Sequence, residues 1–583
     1  MGGKARSFVK NYYLAIIFAI IVGAVSVAPQ IFSITQLNEP YRGAHFMFTA
    51  NEDIYMARIQ EVIDGHWRVG SPLFYEYKDR SNMMLPIGEY VYAIPALLFK
   101  IPLANIMIIS KFVLPAILFL LVYFFILKLS LKSDSFGSKI NAVAGGLFVT
   151  LGYDLIDFKT SWLMLIGKMK VFNLLVWTRP VNPIIGAILI FSFLLLVWGI
   201  YKDRKKYLFI PAGLILGLMA GYFFSWGLSL AVLFVLFVIS IWLKNYWFSK
   251  QIILIFAVFM ISSVPLWFNL FTSLGSGAGQ TDVLRYGMFF THLPIVNKLL
   301  LALTAAFMAV FFLKMRLDKN AWREVGKWWW FCLALIGGSW LAFNQQMITG
   351  RTIWPYHFVQ YTIPFAIVIM MILMVNFIKP KFKYLWLITV MFIFLSVAVY
   401  NILALKSYAN FNDNFSKLQR KMPLFNYLNN QAEKDCVVLA DSEENSLLIP
   451  ALTHCNIYAA SYVIDGVPAE RIKHNYLVWL RLNGVKAEAV DDYLINHQGY
   501  LRAYFYENWD QIFAPVNDYW FQGLIKEISF AYKEFVKKDF TVELKKYRLN
   551  YIILEEGSAD EIKKIIPDLK YINSFDGLSL YKF

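Results

Sequence analysis

For its first 405 residues the chain alternates long apolar runs with short polar loops. A helix of about 20 apolar residues crosses a hydrocarbon core of about 30 Å. Runs of that kind fall at about 12–34, 103–129, 140–157, 183–201, 207–224, 227–243, 251–271, 293–313, 328–346, 358–378 and 384–405. A shorter apolar segment, Leu85–Phe99, holds Glu89 and Pro95 and reads as an interfacial or re-entrant helix. From Ser407 to Phe583 the pattern changes to that of an ordinary soluble domain. Val437–Ala440, Ile457–Ala459, Tyr551–Leu554 and Leu578–Tyr581 read as short strands, and Glu470–Leu482, Ala487–Asn496 and Phe530–Lys546 as helices. The pattern predicts an α-helical polytopic membrane protein of about 11 spans with a C-terminal extracytoplasmic α/β domain. The boundary falls near residue 405, so that 1–405 is the membrane domain, with a first outer loop over 35–85, and 406–583 the outer domain.

Composition agrees: 58% of the 583 residues are hydrophobic and only 16% charged, against about 25% charged in soluble proteins. Many aromatic residues, among them Trp328, Trp329, Trp330 and Tyr384, sit at run ends, where amphipathic rings favour the interface. The net charge of +16 sets topology rather than pointing to nucleic acid, because Lys and Arg cluster in short loops between runs. With the basic N-terminus (Lys4, Arg6, Lys10) inside, every inner loop is basic and the tail lies outside. The first run is too long for a signal-peptide core and reads as an uncleaved span. Cys332 lies within a run; Cys436 and Cys455 lie in the tail, either paired in an oxidising compartment or as two free thiols.

One polar stretch then stands out: Asn51-Glu52-Asp53-Ile54-Tyr55-Met56-Ala57-Arg58-Ile59, continuing through Asp64, His66 and Trp67 to Glu76, Lys78 and Asp79. The topology puts it outside, with Asp154 and Asp157, Arg179, Arg351 and His357. A carboxylate there can take a proton from an attacking hydroxyl, acidic pairs can hold a divalent cation through oxygen, and arginines can bind a phosphate bidentately. The runs carry almost no ionisable residue at mid-depth, where ion-coupled carriers place them, which argues against transport.

The order of a first span, an acidic outer loop (Asn51-Glu52-Asp53…Ala57-Arg58-Ile59) and a multispan bundle resembles the GT-C superfamily of membrane glycosyltransferases over about residues 10–405. The resemblance implies transfer of a sugar from a polyprenyl-phosphate-linked donor to an acceptor on the outer face, with inversion at the anomeric carbon. It implies Glu52 or Asp53 as the acidic residue that assists the acceptor. The superfamily's usual pair has the order Asp-Glu, reversed here, so either residue is open as the base. Arg179 and Arg351 would bind the donor phosphate, with His357, Glu76 and Lys78 as further substrate contacts. Some members hold a metal with acidic residues of a second outer loop, where Asp154 and Asp157 stand. No cofactor is required, and Mg or Mn is the cation such a pair would take. The partners implied are the lipid-linked donor, the bilayer and an unspecified glycan, lipid or protein acceptor, with a bacterial or archaeal plasma membrane as the setting.

Each residue also has a plainer reading. Glu52 and Asp53 suit a helix N-terminus ahead of Ile54–Ile63; Asp154 and Asp157 suit a solvated span end; Arg179, before Pro180, suits a headgroup anchor. Glu76 and Lys78 suit each other. The glycine-rich 275–279 lacks the Lys-Ser/Thr of a phosphate-binding loop and reads as an outer loop. Two other functional classes stand beside the transferase: a transporter or flippase of a lipid-linked substrate, and a non-catalytic scaffold or sensor with an outer binding domain.

Overall fold

The computed structural model describes residues 2–80, 85–168, 175–275, 285, 288–317, 326–460, 466–555 and 559–583. The chain divides into two compact units, each discontinuous in sequence. One comprises residues 1–36, 107–265 and 290–412, and the other residues 37–106, 266–289 and 413–583.

The first unit is helical and apolar. Among the described residues, six helices are long and apolar enough to cross a membrane: Asn11–Thr35, Leu103–Leu129, Ile184–Asp203, Phe223–Trp242, Pro355–Ile378 and Lys383–Tyr408. A bent pair, Tyr246–Ser262 and Val264–Leu274, makes a seventh if counted as one span. The run expected over 251–271 breaks because Pro265 has no N–H to donate and Ser263 Oγ bonds back to Phe259 O at 2.7 Å. Helices Phe223–Trp242 and Lys327–Asn344 approach closely at Gly338, where an added Cβ would lie 2.5 Å from Val232 Cγ2. Small residues permit such backbone contact in lipid, where helices gain nothing from excluding water. The basic loops gather at one end of this unit: Lys202 Nζ donates to Lys128 O at 3.3 Å, and Lys327 Nζ donates to Tyr201 O at 2.9 Å. Cations there satisfy the last carbonyls of the helices, as the helix dipole favours.

The second unit is an α/β domain. Its five strands are β1 (Val437–Ala440), β2 (Asn456–Ile457), β3 (Tyr551–Glu555), β4 (Lys570–Phe575) and β5 (Leu578–Lys582), in the spatial order β2-β1-β3-β5-β4. β1 is parallel to β2 and to β3, while β5 runs antiparallel to both β3 and β4. β1 is buried along its whole length, as a strand covered on both faces must be. A disulfide between Cys436 and Cys455 ties the start of β1 to the residue before β2.

Residues 37–106 belong to this domain. Leu73, Phe74 and Tyr77 enter the same core as Val438, Phe425 and Tyr458. Ile457 N donates to Leu73 O at 2.9 Å, so loop backbone covers the edge strand β2. Arg471, 1% exposed, stacks its guanidinium on the rings of Phe74, Tyr458 and Tyr547 and donates to Tyr458 O at 2.7 Å.

Candidate active site

Helix Glu52–Ile63 carries the adjacent acidic pair in its first turn, after Asn51 in the left-handed conformation at φ 58°. The two carboxylates have different surroundings. Glu52 is 1% exposed; its Oε1 lies 2.9 Å from His45 Nε2, and its Oε2 accepts from Thr49 N and Thr49 Oγ1 at 3.1 and 2.6 Å. Those bonds fasten residues 45–49 to the helix start. Asp53 is only partly covered, and its Oδ1 accepts from the backbone Ile54 N at 2.9 Å. Burial pushes its carboxyl above the ordinary range, and the neighbouring Glu52 charge adds to the rise. An accessible, partly desolvated carboxylate is the kind of group that accepts a proton near neutral pH.

Further along the loop lies a buried polar network. Lys78, 3% exposed, donates to Asp435 Oδ1 at 2.6 Å and Asn456 Oδ1 at 3.2 Å, with Glu61 Oε2 at 3.9 Å. His66 bridges Asp79 at 2.7 Å and Asp435 at 3.4 Å. Burial raises Glu61 to about 7, opposed by the Lys78 charge, and raises Asp64 to about 6. The plainer reading of Glu76 and Lys78, a pair with each other, is not met. Lys78 spends its ammonium inside the domain, and Glu76 instead faces Arg471 at 4.0 Å. Lys78 is thus enclosed and paired within the domain.

The remaining candidates belong to the helical unit. Arg179 ends a short turn, Val176–Thr178, and is followed by Pro180, Val181 at φ 61° and a cis Asn182–Pro183 bond leading into helix Ile184–Asp203. His357 lies at the start of Pro355–Ile378, its ring stacked on Trp354 at 5.5 Å and edge-on to Phe224 at 4.8 Å. Its Nδ1 has no hydrogen-bond partner among the described residues, and it is within electrostatic reach of Arg179. Tyr361 OH donates to Pro183 O at 3.3 Å beside Gly186, where a Cβ would lie 2.2 Å from the Tyr361 hydroxyl oxygen. Sequence positions near 180 and near 357 are thereby brought together. Arg351 is exposed, its carbonyl held by Gln345 Nε2 at 2.8 Å, and its guanidinium has no ion pair among the described residues.

Asp154 accepts from Tyr400 OH at 2.6 Å. Asp157 caps helix Phe158–Leu165, its Oδ2 accepting from Thr160 N and Oγ1, both at 2.9 Å. One oxygen of each carboxylate is thereby engaged. Among the described residues, the one group with metal-ligand spacing is Cys436, His454 and Cys455, and its two sulfurs are bonded to each other. The apolar pattern gave no sign of His45, whose role rests on a contact seven residues away. It also passed over Lys111, 1% exposed inside the span Leu103–Leu129; a buried ammonium in a span is a functional position by default. The glycine run lies outside the described residues beyond Gly275.

No family model and no curated protein matches the chain. Among solved structures it is similar to ArnT of Cupriavidus metallidurans bound to undecaprenyl phosphate, at 10% identity and a TM-score of 0.45, covering 98% of each chain. It is also similar to the Archaeoglobus fulgidus oligosaccharyltransferase tethered to an acceptor peptide, at 13% identity and a TM-score of 0.43, covering 94% of this chain and 70% of that one. A further structure of the Archaeoglobus fulgidus enzyme, with an inhibitory peptide and a dolichol-phosphate, aligns at 14% identity and a TM-score of 0.36, with the same coverage.

Proposed function

We propose that the chain is an integral membrane glycosyltransferase that moves a sugar from a polyprenyl-phosphate donor to an acceptor on the outer face. Asp53 is the base: it takes the proton from the acceptor's nucleophilic group as that group attacks the anomeric carbon. The bond from that carbon to the lipid phosphate breaks, with inversion, and the lipid phosphate leaves. Arg179 and Arg351 bind the leaving phosphate, and His357, beside Arg179, orients it. The observation that carries this reading is the division of labour in the acidic pair, with Glu52 buried and saturated and Asp53 accessible and desolvated. The Cys436–Cys455 bridge supports an outer domain in an oxidising compartment.

The test is sugar transfer from a defined polyprenyl-phosphate donor by the purified protein. Asp53→Asn is expected to lower kcat by about 10²–10⁴-fold, the range for a lost general base, while the protein still inserts and melts as wild type. Wild-type transfer by Asp53→Asn would overturn the assignment. Uptake into proteoliposomes with no glycosylated product would favour the transporter instead.

A further inference from the structure

The α/β domain contains a concave site away from helix Glu52–Ile63, formed within that unit alone. A cleft of about 760 Å³ opens between helices Ala469–Leu482 and Tyr519–Phe535, the segment Tyr504–Glu507 and Arg285. That volume lies within the roughly 300–1,000 Å³ of small-molecule sites. Its lining alternates aromatic rings with charges. Tyr519 is 93% exposed, with Trp520 and Tyr506 half-buried beside it. Rings left this open on a folded surface are available to a ligand.

The charged groups are held in unlike ways. Arg285, 5% exposed, lies under the Tyr506 ring at 4.7 Å and donates to Tyr504 O at 2.8 Å, and its Nε has no partner among the described residues. Lys473 is neutralised by Glu527 at 2.7 Å. Glu470 and Glu507 are exposed and without ion pairs among the described residues. Carboxylates thus outnumber cations, which disfavours a phosphate or an acidic glycan. The spaced rings also break the continuous apolar surface that a lipid tail or packed helix would need.

Neutral sugars match what is left. A pyranose ring presents C–H faces that stack on aromatic rings and equatorial hydroxyls that donate to carboxylates and accept from a guanidinium. We propose that this cleft binds a neutral oligosaccharide, the glycan portion of the acceptor, away from Asp53. The identity of that glycan as acceptor rests on the transferase reading; the binding itself does not.

The experiment is retention of the full-length, detergent-solubilised protein on an array of defined neutral oligosaccharides, with short peptides printed in parallel and no donor present. Selective retention on a subset of the neutral oligosaccharides is expected. Tyr519→Ala and Glu507→Gln, both at exposed positions, should each weaken it at least tenfold, while Asp53→Asn should bind as wild type. Absence of glycan retention overturns the cleft, as does retention that neither variant weakens. Peptide retention in place of glycan, lost in the same variants, overturns it in favour of a protein acceptor. Transfer activity with no glycan retention removes the cleft alone. Glycan retention with no transfer from any polyprenyl-phosphate donor removes only the transferase.

Discussion

Asp53 and Glu52 are neighbours in sequence, yet substitution should affect them through different observables. Glu52→Gln leaves His45 and Thr49 facing a neutral amide in a buried pocket, so it should lower stability, on the order of 1–3 kcal/mol, as lost buried charge-assisted bonds do. Melting of the purified variant checks this. In the proposed reaction Asp53 works ionised, and burial raises its pKa. The acidic limb of kcat/KM should therefore lie above the ordinary carboxylate range, and a limb at an unperturbed value would detach the rate from Asp53. Glu61 supplies a separate pH signature. Its folded pKa of about 7 exceeds its ordinary 4.5, so the folded chain keeps a proton that the unfolded chain releases. That contribution is full below about pH 4.5 and is lost as pH rises through about 7, an effect on the order of 3 kcal/mol. Glu61→Gln, which retains an oxygen for Asn456, should flatten the decline in melting temperature between pH 5 and pH 8. At this scale the sequence told which residue types mattered but not which way they faced. Glu52 and Asp53 look equivalent as text, and only three-dimensional contacts with His45 and Thr49 separate them. Neither reading of Lys78, substrate contact or local pair with Glu76, pointed to Asp435 and Asn456, because they lie more than 350 residues away.

Elements were more legible, because periodicity is local. The run at 103–129 coincides with helix Leu103–Leu129, and the strands expected at Val437–Ala440 and Tyr551–Leu554 form as β1 and β3. The helix expected over Phe530–Lys546 is two elements, Tyr519–Phe535 and Phe540–Leu544, because Asp539 caps a new helix by accepting from Val542 N at 2.9 Å. β4 went unread because, as an edge strand, Lys570–Phe575 is largely exposed and carries no apolar run. The span count of about 11 remains a sequence expectation beside the six long apolar helices among the described residues. The Cys436–Cys455 bridge closes a 19-residue interval at the sheet edge. Reduction or Cys455→Ser should cost the domain roughly 3 kcal/mol on loop-closure grounds, measured as a reductant-dependent fall in its protease resistance.

At the scale of the molecule, the units do not follow the order of the chain. The sequence suggests a membrane half followed by an outer half, whereas residues 37–106 join residues 413–583 in one domain. That link was invisible to any window of pattern, since it depends on Phe74 meeting Arg471 and Leu73 meeting Ile457. Arg179 and Arg351 belong to the other unit. Their replacement by Ala should weaken binding of the polyprenyl-phosphate donor about tenfold or more each, with the melting of the α/β domain unchanged. Unchanged donor affinity in both variants would remove their phosphate role.

The discontinuous domain also orders events during synthesis. The helix bearing Asp53 leaves the ribosome early, but Asp435, which neutralises Lys78, follows that lysine by 357 residues, and the strands come later still. At about 5–20 residues per second that is a wait on the order of tens of seconds. Through that interval the early loop lacks both the sheet it packs on and the Asp435 carboxylate. A ribosome stalled before residue 413 should hold a nascent chain whose loop is readily cut by protease, and release of the full chain should close it. In the proposed reaction, Asp53 would then become competent only after the strands of its own domain have been made.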